Sequence, residues 1–281
     1  MKINRDINII DYLKTNIQHA AEIYQTQANN IFKKLSETNV HDFRVCIRRL
    51  LSQSSLINDL NPIPHYPELK AELKSQVKLF NDLRDNQVQI LKTQSLAYEY
   101  LALYKLYHYL IDQEHLKVKQ LKENIKLIDY NHTLNLYFKN LNYIDETINP
   151  NNFYQIIDNK MNLVIERFKL SNESDLSTIH KTRLAFKKFR YTIEFLSPIF
   201  KYNEESLLKL KNFQTTMGQI QDNVVYLNYF TDWQNKYNKL SNSDFELIKL
   251  YLLEERKQLI NDYFNNFNEI YTFWETRKTN K

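Results

Sequence analysis

The chain has 281 residues, of which 43% are hydrophobic and 14% aromatic, enough to bury a core in one elongated domain or in two similar lobes. Its 38 Lys and Arg exceed its 33 Asp and Glu by only five charges, so a preference for polyanions must come from where the cations lie. The single cysteine, Cys46, excludes an internal disulfide, and the single glycine, Gly218, excludes a glycine-rich phosphate loop.

Apolar residues recur at helical spacing along almost the whole chain, which predicts an all-α protein. The predicted helices, in chain order, cover residues 5–36, 40–58, 67–93, 95–128, 130–147, 152–170, 177–200, 203–237 and 243–277. Polar or proline-containing breaks separate several of them, at residues 61–67, 148–152, 171–174 and 239–244. Ser177 is the expected N-cap of its helix. The N-terminal stretch does not resemble a signal peptide and no apolar run approaches about 18 residues, so we expect a cytoplasmic protein that does not bind a membrane.

The sequence contains an internal repeat. VHDFRVCIRRL at residues 40–50 matches IHKTRLAFKKF at 179–189, with the His, the Arg and the basic pair in the same places. Further matches follow in the same order, with LKSQ and LRDNQV in the first half and LKNF and IQDNVV in the second. This order predicts a duplicated helical bundle, in which residues 1–147 and 148–281 are the two repeats of a single domain over residues 1–281.

Each repeat carries a helix with an apolar side and a basic side, at about 100° per residue. In the second repeat the basic side has His180, Arg183, Lys187, Arg190 and Tyr191; in the first it has His41, Arg44 and Arg48; and Arg49 and Lys188 lie at the flanks. The next helix of the first repeat adds Lys70, Lys74, Lys78 and Arg84, whereas the second repeat retains only Lys211 and has Gln221 in place of Arg84. A charged helical face is often only solvated surface, and such histidines often have structural roles. The repeated His and Arg phase favours an anion-binding face.

These motifs, together with MGQIQDNVV at 217–225, resemble the CHAD domain, the conserved histidine α-helical domain, over about residues 5–275. The resemblance implies two four-helix bundles related by a pseudo-two-fold axis, with a basic central groove that binds inorganic polyphosphate, and a location on polyphosphate granules. The residues expected to bind polyphosphate are His41, Arg44, Arg48, Arg49, Lys74, Lys78, Arg84, His180, Arg183, Lys187, Lys188, Arg190, Tyr191 and Lys211. The first repeat departs from the family pattern at Leu51, which stands where a basic residue is expected, and at Asn81, which stands opposite Gly218.

Three other functions stay open at this point. Basic helices with many Tyr and Phe permit non-specific RNA binding, and seven His with many carboxylates permit a metal-dependent phosphohydrolase. A scaffold for protein partners is an added role, and polyanions other than polyphosphate are possible ligands. No HExxH, clustered His/Asp motif or cysteine ligand set occurs, so we expect a binding module rather than an enzyme, with no catalytic residue, metal or cofactor.

Overall fold

The computed structural model describes residues 6–200, 202 and 204–279. Within these residues the regular elements are all helices, which confirms the all-α prediction. The α-helices of the described residues are α1 (Ile9–Lys33), α2 (Glu37–Leu60), α3 (Tyr66–Leu79), α4 (Asn81–Ala97), α5 (Tyr104–Asn124), α6 (Tyr130–Phe138), α7 (Pro150–Lys169), α8 (Leu176–Phe200), α9 (Glu204–Tyr237) and α10 (Asn242–Thr279). Short 3₁₀ turns at Leu101–Leu103, Ile125–Leu127 and Lys139–Tyr143 border α5 and α6. No helix in the described ranges combines the length and apolar character needed to cross a membrane.

Polar side chains set several helix ends. The Asn8 side chain accepts from the backbone N–H groups of Ile10 and Asp11 in α1, and Ser36 accepts from the N–H of Asn39 in α2. The prediction that Ser177 caps α8 was wrong: the helix begins at Leu176, and the Asp175 carboxylate accepts from the Ser177 N–H at 3.0 Å. Asn238, with φ of 45°, follows the last residue of α9 in the left-handed conformation that commonly ends a helix.

The single helix predicted over residues 67–93 was wrong, because α3 ends at Leu79 and α4 begins at Asn81. The Arg44 guanidinium explains the break. It donates to the carbonyl oxygen of Val77 at 3.1 Å and to Oδ1 of Asn81 at 2.6 Å. Val77 lies in the last turn of α3, where carbonyl groups lack intrahelical donors, so Arg44 satisfies a group that the break exposes.

The contacts divide the chain into two compact units. The first unit comprises Arg5–Gln87 and Ile111–Asp158. In it α2 packs against α1 and α3, and α6 packs against α1 and α3. A buried hydrogen-bond chain crosses the core: the Tyr24 hydroxyl donates to Gln76 Oε1 at 2.7 Å, and Gln76 Nε2 donates to Thr133 Oγ1 at 2.8 Å. Rings of Tyr24, Phe43, Phe80 and Tyr130 pack around this chain.

The second unit contains Val88–Leu110 and Asn159–Lys281. Helix α9 packs against α8 and α10. The apolar side of α8, including Phe186 and Phe189, is fully buried, as its periodicity predicts. Phe186 meets Phe213 of α9, and Phe189 meets Trp274 of α10. The repeat boundary at residue 147, the pseudo-two-fold axis and the central groove stay predictions.

Candidate functional site

Arg44 is the most buried cation of the predicted site. Its two hydrogen bonds, to Val77 and Asn81, hold the junction of α3 and α4. Burial, and secondarily the charge of Arg48, lowers its pKa to about 10, so the guanidinium stays protonated at neutral pH. These two acceptors of the guanidinium therefore lie within the fold, at the junction of α3 and α4.

His41, on the same helix, is mostly exposed and lies within electrostatic range of Arg84 and Arg48. Partial burial lowers the pKa of His41 first, and the positive charge of Arg84 lowers it further; Asp42 and Glu37 act in the opposite direction. Arg84 is half-buried and forms an ion pair with Glu37. Three cationic side chains and a titratable histidine of α2 and α4 therefore share one face of the first unit.

Asp85 is the acidic neighbour of this cluster. Burial raises its pKa, while Arg44, Lys117 and Arg84 oppose that rise. The Asp85 carboxylate therefore lies within electrostatic range of three cationic side chains.

The remaining predicted cations of the first unit differ in position. Arg48 is half-buried, whereas Lys74 and Lys78 are exposed one turn apart on α3. Arg49 instead lines a cavity of about 180 Å³ with Asn16 and His19 of α1. The structure therefore brings together His41, Arg44, Arg48 and Arg84 around the α2–α4 contact, and it places Arg49 with α1.

In the second unit, His180 Nδ1 lies 2.7 Å from Gln221 Oε1. With the amide oxygen as acceptor, Nδ1 carries the proton and Nε2 is left for another partner. Gln221 occupies the repeat position of Arg84, so the same histidine faces a charge in one unit and a neutral amide in the other.

Arg190 is held by three neighbours. Its Nε donates to Gln214 Oε1 at 2.7 Å, it forms an ion pair with Glu194, and its guanidinium lies 4.9 Å from the centre of the Tyr191 ring. On the same helix, Arg183 and Lys187 are half-buried and Lys188 is exposed. Lys211 is exposed on α9. The second unit thus holds Arg190 against three neighbours and exposes Lys188 and Lys211 to the solvent.

Sequence reasoning missed the partners of these cations. Glu194 follows Arg190 by one helical turn, so the spacing could have indicated that ion pair. Glu37 and Asn81 are distant in sequence from Arg84 and Arg44, and no local pattern indicated either contact. Across the described ranges, no group of three or more His, Cys, Asp and Glu side chains is placed to hold a metal ion.

The sequence matches the CHAD domain family model over residues 17–229, which is more than half of the chain. The chain belongs to the CHAD domain family. This confirms the family predicted from the repeated His and Arg motifs. A search of curated proteins found no significant match.

Two solved structures have the same fold over nearly their whole length. The CHAD domain from the plant Ricinus communis is 18% identical, with a TM-score of 0.73, and the match covers 95% of this chain and 94% of that one. PptA from Streptomyces chartreusis is 9% identical, with a TM-score of 0.69 and coverage of 92% and 99%. At these identities the likeness establishes the fold alone.

Proposed function

We propose that this CHAD protein binds inorganic polyphosphate through the cationic helix faces of its two units. The observation that carries the proposal is the crowding of like charges on α2 and α4. Burial lowers the pKa of Arg44 and of His41 most, and the positive charges of Arg48 and Arg84 lower both further. A bound polyanion would relieve that repulsion.

Polyphosphate carries about one negative charge per phosphate and has no bases, so its recognition depends on dense cations. Arginine binds phosphate oxygens through two parallel N–H groups, and lysine acts as a mobile point charge. Cations fixed on packed helices lose less conformational entropy on binding than cations on loops. Release of the counterions of the polymer would supply much of the driving force.

We assign the predicted residues to two roles, positioning and phosphate contact, according to their burial and their internal contacts. Arg44 is buried and Arg190 has three internal contacts, so we assign both to positioning. The cations proposed to contact phosphate are those nearer solvent: Arg48, Lys74, Lys78, Arg183, Lys187, Lys188 and Lys211. His41, Arg84, His180 and Tyr191 border these cations.

Calorimetry with polyphosphate of defined length, against single-stranded RNA at matched salt, tests the proposal. We expect saturable polyphosphate binding whose log affinity falls linearly with log salt concentration. We also expect polyphosphate to displace weakly bound RNA. If RNA instead displaces polyphosphate, the RNA-binding alternative is correct, and if polyphosphate affinity does not change with salt, the electrostatic mechanism is wrong.

Two matched double variants distinguish the effect of charge position on polyphosphate affinity from the effect of total charge. Lys74→Ala with Lys78→Ala removes two exposed lysines from the proposed face, whereas Lys119→Ala with Lys122→Ala removes two exposed lysines of α5 in the same unit. Only the first pair should weaken binding. Equal weakening by both would show that total charge, and not this face, determines affinity.

The proposal extends to location. A protein that binds long polyphosphate chains would collect on polyphosphate granules, and a fluorescent fusion tests this. The Lys74→Ala, Lys78→Ala variant should lose the granule signal while its expression level is unchanged.

A further inference from the structure

The second unit contains a cavity of about 310 Å³ between the first turns of α8 and the middle of α9. Five apolar side chains form most of its lining: Leu176, Ile179, Met217, Ile220 and Val224. Small-molecule sites in proteins commonly begin near 300 Å³ and are mainly apolar, with a few polar groups that orient the ligand. This cavity therefore has the size and the composition of a site for a small, mainly apolar molecule.

Two polar side chains of the lining, His180 and Gln221, are bonded to each other. His180 Nδ1 lies 2.7 Å from Gln221 Oε1. The second nitrogen of each side chain, Nε2 in both, has no hydrogen bond within the described part of the chain. Both side chains are half-buried and neither of these nitrogens is enclosed by the protein, so a ligand can reach them. The cavity therefore offers one acceptor, His180 Nε2, and one donor, Gln221 Nε2.

Charged side chains of the protein itself occupy the matching positions of the first unit. The repeat pairs Leu176, the first residue of α8, with Glu37, the first residue of α2. It also pairs Gln221 with Arg84. Glu37 and Arg84 form an ion pair with each other. Leu176 and Gln221 cannot form such a pair, so the second unit has a cavity at positions where the first unit has two side chains in contact.

The lining favours a neutral ligand. Apart from the titratable His180, no side chain of the described lining carries a formal charge, so a charged group placed there would lose its hydration without gaining an ion pair. A hydroxyl group satisfies the polar edge, because it can donate to His180 Nε2 while it accepts from Gln221 Nε2. The apolar wall matches a hydrocarbon body, and the thioether of Met217 makes favourable contacts with aromatic rings.

We propose that this cavity binds a small phenol, a neutral aromatic ring that carries one hydroxyl group. The ring packs against Met217 and its apolar neighbours, and the hydroxyl group bridges His180 and Gln221. The proposal goes beyond polyphosphate binding, because its ligand is uncharged. Of the lining, only His180 belongs to the residues predicted to bind polyphosphate.

Isothermal titration of the full chain with 4-ethylphenol, without polyphosphate, tests the inference. We expect saturable 1:1 binding in the micromolar to millimolar range. 4-Ethylanisole has the same ring but a methyl ether in place of the hydroxyl group, so it cannot donate to His180 and should bind at least about tenfold more weakly. No saturable binding of the phenol, or equal binding of the ether, would overturn the proposal.

A graft of the first unit's ion pair assigns the binding to this cavity. Leu176→Glu with Gln221→Arg should close the cavity and weaken phenol binding at least about tenfold. The control makes the same two changes at exposed positions of the same helices outside the lining, Leu184→Glu with Gln219→Arg, and should bind phenol as the parent protein does. Full phenol binding by the folded graft, or an equal loss in the control, would show that the site is wrong.

A steric variant tests the site without changing any charge. Val224 lines the cavity and is half-buried, so Val224→Phe should fill the space and abolish phenol binding while circular dichroism remains that of the parent protein. Val225→Phe is the control, because the neighbouring Val225 is 40% exposed and outside the lining. Full binding by a folded Val224→Phe protein would also overturn the proposal.

Salt dependence separates this inference from the proposed function. The affinity for a neutral phenol should not fall as salt concentration rises, whereas the affinity for polyphosphate should. Phenol binding by a protein that does not bind polyphosphate would contradict only the proposed function. Polyphosphate binding without phenol binding would contradict only the present inference.

Discussion

The two units carry the same histidine and arginine sequence motif in different surroundings. In the first unit, α2 packs against α3, and Arg44 of α2 is buried at the junction where α3 gives way to α4. In the second unit, α8 packs against α9, which is one continuous helix of 34 residues. Arg183, the counterpart of Arg44, is only half-buried there. The same sequence motif therefore places one arginine at a helix junction and its counterpart at a half-buried position beside a continuous helix.

The helix break after α3 and the unbroken α9 differ at one pair of equivalent sequence positions, which Asn81 and Gly218 occupy. The Asn81 side chain accepts from Arg44 and lies at the start of α4. Gly218 has no side chain and lies within α9. The acceptor at position 81 binds Arg44, and the glycine at position 218 has no side chain that could supply a matching acceptor. The sequence motif therefore identifies the matching helix in each unit but does not reveal the contacts of each cation.

The largest expected effect is the loss of Arg44. Arg44→Met leaves the Val77 carbonyl and the Asn81 amide without this donor, so we expect a loss of about 2–4 kcal/mol in the free energy of unfolding. Urea denaturation followed by circular dichroism measures it. Arg183→Met is the matched control and should lose less. Equal losses of unfolding free energy in the two variants would mean that both arginines stabilise the fold to the same extent. The proposed contrast between the two units would then be wrong.

For polyphosphate affinity we expect the reverse order, with the larger loss in the α8 variants. Arg183→Ala with Lys187→Ala removes two cations opposite the buried side of α8, so we expect at least about tenfold weaker polyphosphate binding with little change in melting temperature. The slope of log affinity against log salt should become shallower by about two. The equivalent pair in the first unit, Arg44→Ala with Arg48→Ala, should instead lower the melting temperature. Unfolding of the Arg183→Ala, Lys187→Ala protein would show that the assigned face of α8 is wrong.

A substitution of Gly218 should have a smaller effect, and it should stabilise the protein. A Cβ atom built on Gly218 meets nothing within 4 Å, so Gly218→Ala can raise helix propensity without a clash. We expect a gain of about 1 kcal/mol in the free energy of unfolding. At the equivalent position, Asn81→Ala removes an acceptor of Arg44 and should destabilise the protein. Thermal denaturation of the two variants should therefore give shifts of opposite sign; a destabilised Gly218→Ala would mean that the residue has a role beyond helix continuity.

Sequence periodicity predicted most of the fold, because each helix buries a regular apolar stripe such as that of Phe186, Phe189 and Ile193. It could not predict the end of α3 at Leu79, since the break depends on Arg44, which is far away in the chain. The spacing of Lys and Arg at about one helical turn predicts the cationic faces in the same way. Whether a cation on such a face is available depends on distant partners, as for Arg84 with Glu37, and no periodicity encodes those.

The smallest predicted effect concerns the two histidines and pH. His41 has a pKa below the ordinary 6.5, lowered by burial and then by Arg84, so the unfolded chain binds this proton more readily than the folded protein does. Its contribution to stability is therefore complete above about pH 6.5 and is lost as pH falls toward the lower folded pKa. His41→Asn should flatten the stability profile in that window. The difference between the two proteins is the quantity to measure, because His65 also has a lowered pKa and is present in both.

Bound phosphate reverses the environment of His41, because added negative charge favours the imidazolium that Arg84 and Arg48 disfavour. Proton linkage then requires polyphosphate affinity to increase between about pH 8 and pH 6 if His41 contacts the ligand. His41→Asn should remove most of this increase. His180→Asn is the comparison in the second unit, where Gln221 takes the place of Arg84 and provides no charge to relieve. Equal affinities of the parent protein at about pH 6 and pH 8 would restrict the histidines to a structural role, and the two helix faces would then bind phosphate through Lys and Arg alone.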